Sequence, residues 1–176
     1  MKYNVNEMIS SEKIAKRVKE IASELNRDFE GQEVVFICIL KGAAIFMADL
    51  IRHLEFDITT EYLEFASYEG EDAGKVVIKK DFDYDISGKT VVVIEDIIDT
   101  GGTLSYIKKH LEAKKPANIK YCVLLDNPVR RRADCQSMNP DYTGFTIPNQ
   151  FVLGYGLDFN GKYRQLPFIA HLTKTN

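Results

Sequence analysis

Little in this sequence points to a membrane, a disulfide framework or a nucleic-acid surface. No apolar run approaches the roughly 18 residues that a bilayer span requires. The opening segment MKYNVNEMISSEK also lacks the apolar stretch of a secretory leader. Cysteine is sparse: Cys38, Cys122 and Cys135 form an odd set without C-x-x-C spacing. Such a set argues against stapling disulfides and against a zinc site, and it fits a reducing, cytoplasmic compartment. Cys38 and Cys122 stand inside apolar runs, as small buried side chains do. Positive charge is not in excess, since 23 Lys and Arg face 26 Asp and Glu for a formal net charge of −3. A nucleic-acid binder usually shows the opposite balance. A basic cluster, RRR at residues 130–132, falls in a loop-like segment and reads as a solvated face. Internal repeats, low-complexity tracts and linkers are absent as well. The 176 residues, 45% of them hydrophobic, describe one domain able to bury a proper core.

What is present is an alternation of strands and helices. Ile14, Val18, Ile21, Ala22 and Leu25 recur at helical spacing, which predicts an amphipathic helix over residues 11–25. VVFICIL, residues 34–40, is a β-branched apolar run of the kind buried on both faces of a sheet. A tight Lys41-Gly42 turn then leads into a helix near Ala43. Residues 57–68, rich in Thr, Tyr and Phe, read as a strand. The polar EGEDAGK follows as a loop, and VVIKK resumes a strand. Further strands are expected at residues 90–94 and 118–125, with a helix at about 103–114 between them. The last fifty residues change character, mixing Pro, Gly and aromatics with short strands at best. Such alternation predicts an α/β fold, a mainly parallel twisted sheet flanked by helices, with terminal segments forming a small lobe.

Chemistry concentrates in VVVIEDIIDTGGTL, which begins at Val91. Three carboxylates, Glu95, Asp96 and Asp99, are expected where the strand ends, and ligands bind at the carboxyl ends of parallel strands. Gly101 and Gly102 let backbone N–H groups approach a ligand, and the following helix adds the positive end of its dipole. Neither the Walker A spacing nor G-x-G-x-x-G is present, and the short loop suits one phosphate. Carboxylates beside it suit ribose hydroxyls and Mg²⁺, a hard cation that prefers oxygen. Together these features describe a phosphorylated sugar as ligand.

This stretch resembles the phosphoribosyl-pyrophosphate (PRPP) loop of type I phosphoribosyltransferases. LKGA from Leu40, SY at Ser67 and Tyr68, and FVLGYGLDFNGKYR from Phe151 narrow the resemblance to the hypoxanthine-guanine phosphoribosyltransferases. The resemblance implies purine salvage, with PRPP and a purine base as partners, Mg²⁺ as cofactor, and a homodimer or homotetramer. It implies that Glu95 and Asp96 serve the ribose and metal, while Thr100, Gly101, Gly102 and Thr103 cradle the 5′-phosphate. Asp99 is implied as general base near N7 of the purine. Lys41, Gly42 and Arg164 are implied to take the pyrophosphate, often with a non-proline cis peptide before the lysine, and Asp158 a second Mg²⁺. Phe151 is implied to stack on the base and Val152 to read it through its backbone. Residues 67–80, with Ser67 and Tyr68, are implied as a closing lid, and residues 145–176 as part of a base-binding hood.

Two positions depart from the pattern. Asn127 stands where the family usually places a lysine facing the 6-oxo group of the base. An amide can donate to that oxygen without the charge, and Arg130 or Arg131 is a further source of charge. Gly102 stands where relatives often carry a larger residue. Asn127 therefore keeps two alternatives open: the same chemistry on xanthine or another purine, and a PRPP-sensing regulator on the same fold.

Overall fold

The computed structural model describes residues 3–67 and 76–174. Its elements run β1 (Tyr3–Ile9), α1 (Ser11–Asp28), β2 (Val34–Leu40), α2 (Ala44–Ile51), β3 (Ile58–Ser67) and β4 (Val76–Lys80). They continue with β5 (Thr90–Ile98), α3 (Gly102–Ala113), β6 (Asn118–Asp126), β7 (Tyr142–Thr146), β8 (Val152–Leu153) and β9 (Ile169–Lys174). The main sheet has the order β4-β3-β2-β5-β6-β7. Its neighbours pair in parallel except at β4, which runs antiparallel to β3 along one edge.

Burial follows the apolar pattern. Six of the seven residues of β2 are buried, as the run VVFICIL requires of a strand covered on both faces. On one face α1 and α2 deliver Ile14, Val18, Ile21, Leu25, Phe46 and Leu50 to the core. On the other, α3 delivers Leu104, Ile107 and Leu111 against Val91, Val93 and Val123. Ser10 caps α1 by accepting from the Lys13 N–H at 3.4 Å. Arg17 on α1 reaches β7, donating to the Thr143 carbonyl at 2.8 Å, so the helix is clamped to the sheet edge. The three cysteines are buried and free. Burial, with Glu95 and Asp96 nearby, pushes the Cys38 thiol up to about 12, so it packs as a protonated apolar group.

Two features differ from the sequence expectation. First, β5 runs past Ile94 to Ile98, because its ladder with β6 continues through Glu95↔Val123 and Ile98↔Asp126. Glu95 and Asp96 therefore lie within the strand, and Asp99 alone of the three acids follows it. Second, the N-terminal segment forms a strand that the sequence did not suggest. β1 pairs antiparallel with β9, Tyr3 opposite Lys174, and β9 pairs in turn with β8. This second, three-stranded sheet is the small lobe of terminal segments. No helix among the described residues is long and apolar enough to cross a membrane.

Candidate active site

The functional side chains gather where β2 and β5 end, beneath the loop that follows β8. Glu95 is buried and Asp96 half-buried, adjacent on one strand. Burial pushes the Glu95 carboxyl well above its usual range, and neighbouring Asp96 pushes it further. Burial likewise raises Asp96, although bonds to Glu95 and Ile97 and the nearby Arg164 charge oppose the shift. The backbone offers partial compensation: the Asp96 N–H donates to Glu95 Oε1 at 3.2 Å and the Ile97 N–H to Asp96 Oδ1 at 2.7 Å. A buried and a half-buried carboxylate with so few donors suit a cation or hydroxyl groups brought by a ligand.

Next along the chain, Gly101 adopts φ +84°, a left-handed conformation, and α3 begins at Gly102 with no side chain capping it. The Gly102 N–H donates to Thr100 Oγ1 at 3.4 Å, and the positive end of the helix beyond it suits an anion. A cavity of about 270 Å³ sits there, lined by Glu95, Asp96, Asp99, Thr100, Gly101 and Thr103. A Cβ on Gly102 would come within 3.2 Å of Arg132 Nη1, so an arginine tip occupies the space a larger residue would take.

A second cavity, about 230 Å³, is lined by Lys41, Gly42, Glu95, Asp96, Asp158 and Arg164 among others. The Leu40–Lys41 peptide is cis, and Lys41 is exposed. Gly42 lies so close to Asp96 that a Cβ there would fall on the carboxylate. Gly156, at φ +104°, packs in turn on the Gly42 carbonyl. Arg164 fixes this corner, donating from Nη1 to the Gly156 carbonyl at 2.6 Å and pairing through Nη2 with Asp158 Oδ1 at 2.6 Å. The other Asp158 oxygen accepts from the Gly161 N–H at 2.7 Å.

The third cavity, about 180 Å³, is lined by Asp96, Asp99, Asn127, Arg130, Phe151 and Val152, with Gln150, Leu157 and Asp158. Phe151 is 57% exposed, which sets it apart from the buried phenylalanines of the core. Phe159 braces its edge at a centroid distance of 5.6 Å, and Tyr3 of β1 braces Phe159 at 5.5 Å. The side chain of Val152 is buried. Asp99 is held from two sides: Asn127 Nδ2 donates to Oδ1 at 3.3 Å, and Arg130 Nη1 lies 2.9 Å from Oδ2.

The expected solvated face at residues 130–132 holds for Arg130 and Arg132, which are exposed, and fails for the side chain of Arg131. Arg131 is buried, donates to the Asp99 carbonyl at 2.9 Å and pairs with Asp126. The Arg132 N–H donates to the Thr100 carbonyl at 3.0 Å. The segment wraps the glycine loop because its backbone oxygens need donors and β6 ends beside it. Asp96 lines all three cavities, so they are compartments of one site. The remaining expectations are placed unevenly. Ser67 closes β3, whereas Tyr68 and the rest of the segment to residue 75 lie outside the described residues. Sequence reasoning missed Gln150, just before β8, and Leu157 and Gly156, whose positions depend on how the loop after β8 folds over Gly42.

Among the described residues no three His, Cys, Asp or Glu side chains are grouped so as to hold a metal alone. Magnesium seldom needs such a group, since one or two carboxylates suffice when water and substrate phosphates complete its shell. Asp96 and Asp158 on one cavity, with Glu95 beside them, are hard oxygen donors that fit it.

Comparison with known proteins agrees with this geometry. The family profile described as "Phosphoribosyl transferase domain" matches residues 4–160. The hypoxanthine-guanine phosphoribosyltransferase of Bacillus subtilis is 41% identical over 175 residues, covering 98% of this chain and 96% of that protein. A crystal structure of a hypoxanthine-guanine phosphoribosyltransferase from Bacillus anthracis superposes with a TM-score of 0.90 at 45% identity, covering 98% of this chain and 100% of that one. The Trypanosoma cruzi hypoxanthine phosphoribosyltransferase, solved with the product IMP, gives 0.87 at 35% identity over 95% of this chain and 93% of that one. Matched nearly end to end in both sequence and fold, the chain belongs to the hypoxanthine-guanine phosphoribosyltransferase family.

Proposed function

We propose that this chain transfers the 5-phosphoribosyl group of PRPP to N9 of hypoxanthine or guanine, yielding IMP or GMP and pyrophosphate. The carrying observation is that three compartments meet at Asp96: one at a helix N-terminus, one beside Lys41 and Arg164, one under Phe151. They suit a 5′-phosphate, a pyrophosphate and a planar base around a shared ribose.

In the reaction the bond from C1 of the ribose to the pyrophosphate oxygen breaks and a bond from N9 to C1 forms. The proton lost from the base passes to Asp99, a positioned base of a kind typically worth about 10²–10⁴ in rate. Glu95 and Asp96 hold the ribose hydroxyls and stabilise the positive charge that develops at C1. Thr100, Gly101, Gly102 and Thr103 bind the 5′-phosphate through backbone donors and the α3 terminus. Lys41, Gly42 and Arg164 receive the pyrophosphate, where the Arg164 fork suits phosphate oxygens. Phe151 stacks on the base, a contact worth about 1–3 kcal/mol, and Val152 reads its edge through the backbone. Mg²⁺, held by Asp96 and Asp158 with Glu95 nearby, would neutralise the pyrophosphate as it leaves.

Pyrophosphate release with PRPP and Mg²⁺ tests this reading. Turnover with hypoxanthine and guanine is the expected outcome, with adenine much slower. No turnover with either base, while PRPP still binds, would overturn it.

A further inference from the structure

We propose that Arg130 is the side chain by which this protein recognises the exocyclic oxygen of a 6-oxopurine, an inference that rests on the reaction assigned above. A ring carbonyl accepts hydrogen bonds and needs a donor. Of the polar side chains lining the base compartment, Asp96, Asp99 and Asp158 are carboxylates that only accept when ionised, Asn127 and Gln150 are uncharged amides, and Arg130 alone is cationic. Asn127 is 1% exposed, and one of its two amide N–H donors is given to Asp99 Oδ1. Among the described residues its Oδ1 is buried without a partner, so Asn127 is placed to orient Asp99 and has for the base one uncharged N–H.

Of the three consecutive arginines, only Arg130 is free to serve. Arg131 is 6% exposed, with its guanidinium taken by the Asp99 carbonyl and Asp126. Arg132 lies outside the compartment lining and makes a two-point contact with Asp134, at 2.9 and 2.7 Å. Arg130 lines the compartment, its side chain is 47% exposed, and Nη1 rests 2.9 Å from Asp99 Oδ2. A guanidinium carries five N–H donors in a planar fork, so one edge can stay on Asp99 while another meets the base. It cannot accept. An adenine, which presents an amino group where hypoxanthine presents oxygen, would set donor against donor. Sites built on such a contact discriminate far more strongly than shape alone. Arg130 is thus a specificity-determining residue and Asn127 a positioning residue.

The test compares wild type with R130M and R130K for kcat and KM on hypoxanthine, guanine and adenine, alongside direct titration of PRPP with Mg²⁺. R130M is expected to raise KM for hypoxanthine and guanine by at least about tenfold. The preference over adenine should narrow by a similar factor, kcat should change less than KM, and PRPP affinity should hold within about twofold. R130K, keeping a charge without the fork, should fall between. An unchanged hypoxanthine KM in R130M would overturn the assignment, as would loss of PRPP binding in parallel, which would make Arg130 a brace for the phosphate loop. A wild-type enzyme silent with every purine would strike the reaction itself, a result distinct from an active enzyme indifferent to R130M.

Discussion

Gly42 illustrates how much of this site is decided by single atoms. A methyl group there would collide with the Asp96 carboxylate and crowd a loop whose carbonyl already touches Gly156. Overpacking at such a point typically costs about 1–3 kcal/mol, and the strain falls on the acid that lines every compartment. G42A is therefore expected to lower kcat/KM for PRPP by about tenfold to a hundredfold, with a smaller loss in Tm, measurable by steady-state kinetics and thermal unfolding. The importance of Gly42 was legible from its place in the family pattern, but its steric reason was not, because Asp96 and Gly156 reach it only through the fold. Asn127 was likewise conspicuous in the sequence, whereas its burial and its bond to Asp99 depend on where β6 ends. Arg130 was one of two equal candidates until Arg131 proved to be committed elsewhere.

Elements show the same division between local and distant causes. β2 matched its sequence bounds, since a continuous β-branched run admits little else, and α1 was marked by its apolar spacing. β5 outran its expected end because the two acids and two isoleucines after Ile94, which show no strand alternation, are held by its ladder with β6. β1 escaped notice because its partner lies at the other end of the chain and its exposed, polar face offers only weak alternation. In the loop after β6 three charges suggest solvent, which holds for Arg130 and Arg132, whereas the Arg131 guanidinium meets the Asp99 carbonyl, a partner that only the fold brings to it. That loop makes a contrast testable. R131M removes a buried guanidinium, leaving Asp126 without its partner and the Asp99 carbonyl without a donor. Breaking a buried pair from one side costs about 3–5 kcal/mol. R132M removes an exposed pair with Asp134, of a kind that contributes roughly 0–1 kcal/mol, and exchanges the tip beside Gly102 for an uncharged one. Urea unfolding should separate the two variants clearly, and R131M should also weaken PRPP binding while R132M leaves it within about twofold.

At the scale of the whole molecule, the fold stores an electrostatic cost that the proposed ligands would remove. The sheet brings Glu95 and Asp96 together below the surface, and burial raises both carboxyls above their ordinary values of 4.5 and 3.8. A carboxyl that binds its proton more tightly folded than unfolded favours the folded state most at low pH. That contribution is complete below the unfolded value and is lost as pH rises through the raised folded one. For this pair the loss begins near 4 and runs upward, so the unliganded protein carries the full penalty only once both groups are ionised. E95Q removes the charge that Asp96 opposes. Unliganded E95Q is expected to melt several degrees above wild type near pH 8, since about 1 kcal/mol moves Tm by 2–4 °C in a chain of this size. The difference should shrink steadily as the pH is lowered toward 4.5. PRPP with Mg²⁺ should reverse the order. Saturation at about a hundred times Kd stabilises wild type by roughly 2.7 kcal/mol, whereas E95Q, lacking the carboxylate proposed for the ribose and cation, should gain little. A scanning-fluorimetry grid of pH against ligand reads both effects. Equal melting of the two unliganded proteins at every pH would show that the carboxylates are already compensated without ligand.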